Sequence, residues 1–566
     1  MTGPGTAPAG IPSATAAPRA SAAPVLRRVV VYGILFVLVL LLAGGLADLL
    51  GRLFDVVTGT SVIGGDTAGL AVSLSFTLVG GPLAALLGWF AWRRLADRPE
   101  QESLAWALYV VGVCTVALIV ASTALFSALS AAVRGDDATA EAATGVVWAG
   151  VWAGHRFVLR RSTRRPTRLP GTAAVLGGVV GLLLGAGGAV SALTVLFDTA
   201  LAGATDAPIG VPWWWAALQS LVWAAGGGLV WWWHWNRDGG RAVRSGLAAV
   251  ALVGVGILGG CLLTLAGAGT TLFVLLRLAV DRTDPLRTLL DPLGAAVAAA
   301  LVGGLIWGYH RAVAARRSAG VSGAGVLVTS GVSLVAAASG IGVIVNALLA
   351  TLTTPLAASD PRTLLLAGIS SLVVGGPLWW FAWRPTTAVL PERRRSTGRS
   401  AYLVVVFGVS AVVALVALLV IGFRLFDSLL SGEAGLLDRL RASLGLLLAT
   451  GLVAGYHFSV WRGDRAASAT SVPAPVPDAP RGPATGIGEL VLIMGPGAEP
   501  VLRHLRQLTG ATVSWWQRAG GTTALPDPAQ VANALQGVQG ERVVLIVAAD
   551  GSLSVIPLVA PQSPGL

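Results

Sequence analysis

Trp307-Gly308-Tyr309-His310-Arg311 closes an apolar segment and runs straight into arginine, and five relatives of it recur along the chain. Three keep the histidine: Trp152-Ala153-Gly154-His155-Arg156, Trp231-Trp232-Trp233-His234-Trp235 and Ala454-Gly455-Tyr456-His457-Phe458. Two carry alanine instead: Gly88-Trp89-Phe90-Ala91-Trp92 and Trp379-Trp380-Phe381-Ala382-Trp383. The aligned positions 91, 155, 234, 310, 382 and 457 are spaced by 64, 79, 76, 72 and 75 residues. A period of that length holds two membrane-spanning helices with their loops. Four of the five histidines in the chain occupy this one position.

Composition agrees with a membrane protein. Over 566 residues the chain is 55% hydrophobic and only 12% charged, with a mean hydropathy of +0.76. A soluble protein of this size needs far more charge to cover its surface. Lysine is absent and all 39 basic residues are arginine, which hints at a GC-rich bacterial coding bias. Cys114 and Cys261 lie inside apolar segments, so they read as small buried residues, not as a disulfide framework or metal ligands. Residues 1–24 are Ala, Pro, Ser, Thr and Gly with almost nothing large and apolar, the signature of a disordered arm. The run after Arg27-Arg28 is longer than a cleavable signal core and has no cleavage site behind it.

The predicted fold class is an all-α polytopic membrane bundle with a small C-terminal α/β domain. Twelve transmembrane helices are expected, near 29–54, 67–92, 103–131, 140–159, 172–197, 213–235, 244–278, 290–311, 324–352, 362–383, 401–426 and 436–460. Ten-residue alternating strands, the mark of a barrel, do not occur. The N-terminal arm and the loops after even-numbered helices hold 25 arginines and 6 acids, against 9 and 15 on the opposite side. Arginine excess marks the cytosolic face, so both termini are expected inside, in a bacterial cytoplasmic membrane. The basic balance is then topology, and no nucleic acid is expected as a partner. Every hairpin has the same orientation, which makes the repeats parallel. Tryptophan-rich endings alternate with Gly-His or Gly-Tyr-His endings, so three four-helix units fit better than six equal hairpins. The expected divisions are 25–165, 166–317 and 318–462 for the membrane repeats, 463–486 for a Pro- and Ala-rich linker, and 487–560 for a cytosolic domain.

These features together resemble an uncharacterised bacterial multi-pass membrane family, a domain of unknown function found in tandem copies. The arginine-rich start, the long first helix, the outer loop and the Gly-x-x-Trp-x-x-His-Trp type of ending carry the resemblance, over about residues 25 to 462. Ala91 and Ala382 depart from it. The resemblance implies architecture and no activity.

Candidate site residues follow from the motif. His155, His234, His310 and His457 are expected at one depth near the cytosolic interface. There they read first as interfacial anchors, and second as candidate haem or metal ligands, with a proton-linked role as a third reading. Trp92, Trp235, Trp307 and Trp383 read as an aromatic belt at headgroup level. Arg160, Arg161, Arg164 and Arg165 belong to the densest basic loop and read as contacts for anionic membrane lipids. Gly177, Gly181 and Gly185, and Gly256 with Gly260, are spaced for close helix packing. Asp48 and Arg52 form a pair one turn apart, and Gln219 and Asn346 are expected to bond between helices. Mid-membrane charge is scarce, which argues against ion-coupled transport.

Beyond the linker the period changes. Strands are expected at Glu489–Met494, from 511 to 517, from 542 to 548 and at Leu553–Leu558, with helices around Val501 and from 528 to 535. Gly495-Pro496-Gly497 reads as a plain turn, not a phosphate loop, since Pro496 removes an amide donor. Of Trp515 and Trp516, one is expected in the core and the other free for a partner. No nucleophile-base pair, carboxylate dyad or metal-ligand spacing stands out, so the expectation is a non-catalytic membrane protein without a cofactor, whose tail binds a cytosolic protein or regulates the bundle. A channel or permease for a neutral or apolar solute, and a haem-binding electron carrier, are the alternatives.

Overall fold

Away from water, a backbone N–H has its own helix as the dependable partner, and this apolar chain is built accordingly. The computed structural model describes residues 22–59, 66–202, 212–352, 360–387, 397–432, 435–470, 487–518, 524–538 and 541–558. Residues 1–21 of the predicted N-terminal arm and most of the Pro- and Ala-rich linker lie outside them, while 22–24 already belong to the first helix. Helix α1 spans Ala22–Thr58, α2 Thr67–Arg94, α3 Leu104–Arg134 and α4 Thr139–Arg160. Then come α5 at Thr172–Ala202, α6 at Trp213–Trp232, α7 at Gly246–Val280 and α8 at Leu293–Ala315. Helices α9 at Ala319–Ala350, α10 at Pro361–Thr387, α11 at Thr397–Ser431 and α12 at Leu436–Thr470 complete the series. Wide π turns interrupt α2 at Phe76–Gly80 and α7 at Ala251–Gly259, and one extends α6 over Trp233–Arg237.

Among the described residues, ten helices are long and apolar enough to cross a membrane, against twelve predicted. The two that fall short are α4 and α6, of 22 and 20 residues. Length is not their deficit, since about 20 helical residues match the hydrocarbon core. Their composition is. Helix α4 carries Glu141, His155 and Arg156, and α6 carries Gln219 and a series of amphipathic tryptophans.

Packing repeats at intervals of four helices. Neighbours in sequence pair as α3 with α4, α5 with α6, α7 with α8 and α9 with α10. The first helix of a set also reaches the fourth: α1 lies on α4 and α5 on α8. Helix α9 meets α12 where Arg441 donates to the Asn346 side-chain oxygen at 3.0 Å. Between sets, α3 packs on α6 and α7 on α10. Gln219 crosses the first of these joints, donating to the Ser130 carbonyl at 3.0 Å, and Phe126 meets Trp223 edge-on beside it. Thr363 crosses the second, donating to Asp281 at 3.2 Å. Asp48 and Arg52 pair at 2.8 Å, and Ser73 of α2 donates to the same carboxylate at 2.7 Å.

Small residues set the helix separation. A Cβ on Gly181 would overlap the Trp231 backbone nitrogen, and one on Gly185 would sit 2.8 Å from that of Gly228. On the next pair, a Cβ on Gly260 would lie 2.7 Å from the Trp307 nitrogen. No L-residue with a side chain fits there without moving a helix.

Residues from Gly463 onward form a second compact unit. Its strands β1 (Glu489–Met494), β2 (Thr512–Gln517), β3 (Arg542–Val547) and β4 (Leu553–Leu558) form one sheet in the order β2-β1-β3-β4. Strand β1 runs parallel to β2 and β3, and β4 returns antiparallel through the Asp550-Gly551 turn, where Gly551 has φ 83°. Helices α13 (Glu499–Thr509) and α14 (Pro528–Leu535) share one core with the sheet. Val501, Leu505, Val531 and Leu535 meet Leu490, Leu492, Val543 and Leu545 there. The expectation that one of the two adjacent tryptophans enters the core is corrected. Trp515 is 38% exposed and Trp516 68%, because β2 is an edge strand on which only Val513 is buried.

Substituting Gly181 or Gly185 with alanine is expected to destabilise the bundle by about 1–3 kcal/mol. Gly187→Ala, with nothing within 4 Å of its Cβ, should leave stability unchanged or raise it slightly. Thermal unfolding in detergent checks the contrast. A second test uses Asp281, just past α7. The Thr283 hydroxyl at 2.8 Å, with further bonds from Thr363 and Arg277, holds its carboxyl below the usual range. A depressed folded pKa gives stability above the unfolded value that is lost as pH falls through the folded one. Asp281→Asn should therefore melt below wild type at pH 7, and the gap should close below about pH 4.

Candidate functional site

The motif histidines are held by their own helices first. In His155, His234, His310 and His457 the ring Nδ1 lies 2.8–2.9 Å from the carbonyl four residues earlier, at Val151, Val230, Ile306 and Val453. A carbonyl only accepts, so each Nδ1 carries a proton, and in the neutral ring Nε2 is the acceptor. Three of the rings are buried: His234, His310 and His457. Glycine makes room for two of them. A Cβ on Gly256 would lie 2.5 Å from the His310 ring, and one on Gly177 would overlap His234.

Around His310 and His457 the same lock forms. Trp235 donates its indole N–H to the Tyr309 hydroxyl at 3.0 Å, and Trp383 donates to Tyr456 at 2.8 Å. Each indole also packs on the neighbouring imidazole, at 5.8 Å for Trp235 on His310 and 5.6 Å for Trp383 on His457. Trp231 and Trp379 stand edge-on to the two tyrosines. A tryptophan ending of one hairpin thus grips the Tyr-His ending of the next. Trp235 and Trp383 are buried in these grips, inside the protein and not against headgroups. Their N–H needs a partner there, which the tyrosine supplies.

His155 is held differently. Tyr109 of α3 donates to its Nε2 at 3.0 Å. Tyr109 stacks on Trp106 at 5.5 Å, and Tyr32 joins both. Tyr32 donates in turn to Glu100 at 3.1 Å, a buried carboxylate that also takes Arg28 at 2.9 Å. Tyr402 does for His457 what Tyr109 does in packing, with ring centroids 6.0 Å apart. All five tyrosines of the chain therefore sit in these clusters. The sequence signal was their scarcity and their position near arginine, which the repeat alignment alone did not use for Tyr32, Tyr109 and Tyr402.

Among the described residues, arginines at the end of four of the six motifs stack on the ring one turn back. Arg311 covers Trp307 at 5.6 Å, Arg161 covers Phe157 at 4.3 Å, and Arg93 covers Trp89 at 4.8 Å. Arg164 turns inward: it lies 4.1 Å over Trp92, donates to the Trp92 carbonyl and accepts Trp106 on its own carbonyl. Arg160 and Arg165 remain exposed.

These two arginines border a cleft of about 440 Å³ between the first half of α3, the arginine ends of α4 and α6 and the start of α5. Arg156 forks onto both oxygens of Asp238 across it, joining α4 to the extension of α6. His234 Nε2 stands 4.0 Å from the same carboxylate. Trp152 stands edge-on to His234, and Arg156 lies 5.1 Å over the Trp152 ring. Leu169 in the wall has φ 54°, the one non-glycine residue with positive φ among the described residues. Among the described residues, no group of three or more His, Cys, Asp or Glu side chains is arranged to hold a metal ion.

Residues 28–154, 172–305 and 324–452 each match a family described as a domain of unknown function (DUF5671). No curated protein and no solved structure matches the chain.

The lock is testable by a double-mutant cycle. Trp383→Phe and Tyr456→Phe each remove one side of a hydrogen bond between a buried indole and a half-exposed hydroxyl, and each is expected to cost about 1–3 kcal/mol. The pair together should cost less than the sum, by on the order of 1 kcal/mol. Additive losses in detergent unfolding would show that the two side chains do not act on one another.

Proposed function

We propose, from the premise that this chain belongs to the DUF5671 family and carries it in three tandem copies, that it is a non-catalytic membrane protein whose C-terminal domain docks a soluble protein partner. In this reading the chain crosses the bilayer twelve times as three four-helix units, with α4 and α6 as the two less apolar spans. Both termini then face the cytosol of a bacterial inner membrane. The recurring packing of first on fourth helix supports the four-helix unit, and the gathering of arginine at one end of the helices supports the orientation.

The open face of the tail sheet carries the partner reading. Both tail helices cover one side. Strand alternation and register put Val491, Ile493, Trp516, Val544, Ile546, Ile556 and Leu558 together on the other. Trp516, Ile556 and Leu558 are exposed. An apolar sheet face of this kind, with an exposed tryptophan at its edge strand, is the usual mark of a protein-binding surface. The four imidazoles, packed among rings with Nδ1 bonded to their own helix, serve as structural joints in this reading and bind no haem.

A passage for a neutral solute is the second reading, and one feature favours it. A cleft of about 490 Å³ among α3, α5 and α6 is lined by Ser130, Ser191, Gln219 and Ser220.

With a photo-crosslinking residue at 516 or 556 of the intact chain, an adduct with a soluble protein is expected from both positions. Position 503, on the outward side of α13, should give none. Ending the chain after Arg465 should leave the bundle folded. A bundle that is degraded without its tail, or equal labelling from all three positions, would count against the partner reading.

A further inference from the structure

The cleft at the joint of α4 and α6 has a chemistry that the packing role does not use. The geometry points to a binding site for a phosphate-bearing anion, with the headgroup of an acidic phospholipid as its source. Asp238 is the one carboxylate among the lining residues, and Arg156 already occupies both of its oxygens. Two further guanidinium groups, Arg160 and Arg165, border the same space. Arg160 comes no closer to Asp238 than 3.9 Å. The mouth therefore holds an excess of two positive charges, presented by forks that suit phosphate oxygens.

Another part of the wall is of the opposite character. Cys114, Leu118, Trp152 and Leu159 line it. A basic mouth over an apolar wall matches an amphiphile, whose headgroup meets arginine while its first chain carbons follow the wall. Free phosphate would use the mouth alone.

The mouth is also held in shape. Gln101 donates to the carbonyls of Leu95 and Thr163 at 2.8 and 2.9 Å, and its own carbonyl takes the Thr167 N–H at 3.2 Å. That staple fixes the loop between α4 and α5, in which Leu169 carries a backbone conformation unfavourable for its type. The site is not a by-product of repetition. At the positions that match His234 and Asp238 in the next tryptophan-ended hairpin, the chain has Ala382 and Thr386. The histidine and the acid that organise Arg156 thus belong to the joint of the first two copies.

The test uses the full chain in a nonionic detergent. Short-chain phosphatidylglycerol, phosphatidylcholine of the same chain length and inorganic phosphate are titrated separately, with bound lipid counted by native mass spectrometry and affinity taken from the shift in melting temperature. One phosphatidylglycerol per chain is expected to survive, with phosphatidylcholine binding more weakly. Arg160→Ala with Arg165→Ala should weaken the acidic lipid by about tenfold or more. Arg160→Lys with Arg165→Lys should recover most of that loss, which separates lost charge from a misfolded loop. Arg311→Ala with Arg316→Ala removes equal charge from the end of α8 and should change little. Inorganic phosphate binding as well as the acidic lipid would keep the phosphate site and make its source soluble. Equal weakening in both alanine pairs, or equal binding of the two lipids, would overturn the proposal.

Discussion

Close approach of helix backbones is the constraint from which the membrane unit follows. Between helices in lipid there is little hydrophobic drive, so contact has to come from packing and from hydrogen bonds. Gly181, Gly185 and Gly260 allow it by offering no Cβ where a neighbouring backbone passes. The same surface then receives the motif. Gly177 and Gly256 give room to the rings of His234 and His310. What reads as a stripe of small residues on one helix is therefore the seat for a bulky ending on the next.

The seated rings are polar at their edges, and a buried polar edge is costly without a partner. The chain resolves this in two steps. Each imidazole gives its Nδ1 proton to its own helix. The indoles of Trp235 and Trp383 give their protons to a tyrosine on the facing hairpin, while those of Trp231 and Trp379 stay buried without an acceptor among the described residues. The first bond fixes the ring's tautomer, and the second ties neighbouring hairpins. An imidazole so placed is more joint than ligand. That is why the position tolerates Ala91 and Ala382 in hairpins whose partner supplies the histidine.

Much of this was legible in the sequence, and the rest was hidden for identifiable reasons. The period, the apolar segments, the glycine spacing and the tail's strand and helix order all depend on local pattern, so they could be read. Which face of a tryptophan is covered depends on the neighbour, so Trp235 and Trp383, read as belt residues, are buried inside the protein, while Trp380 is exposed. Glu100 looked like one more acid in a cytosolic loop. Only the fold brings Arg28 and Tyr32 onto it. In the tail, alternation correctly separated Trp515 from Trp516 but could not reveal that β2 is an edge, where even the inward side chain stays half open.

Repetition also sets where a function can reside. Three copies of one sequence unit recur along the chain, the first two share the packing of first helix on fourth, and a feature common to the copies is accounted for by the need to pack. Departures are different, because they have to be maintained against that common pattern. Copy one replaces the tryptophan-tyrosine grip with a ladder from His155 through Tyr109 to Tyr32 and Glu100. Its joint with copy two carries Asp238, Arg156 and a strained loop. An ion pair at such a joint does not stabilise a bundle better than two apolar side chains of the same volume would. Its retention beside two arginines that have no forked carboxylate partner is understandable when the charge serves something other than packing, and a membrane face rich in acidic headgroups is the nearest source of a counter-charge.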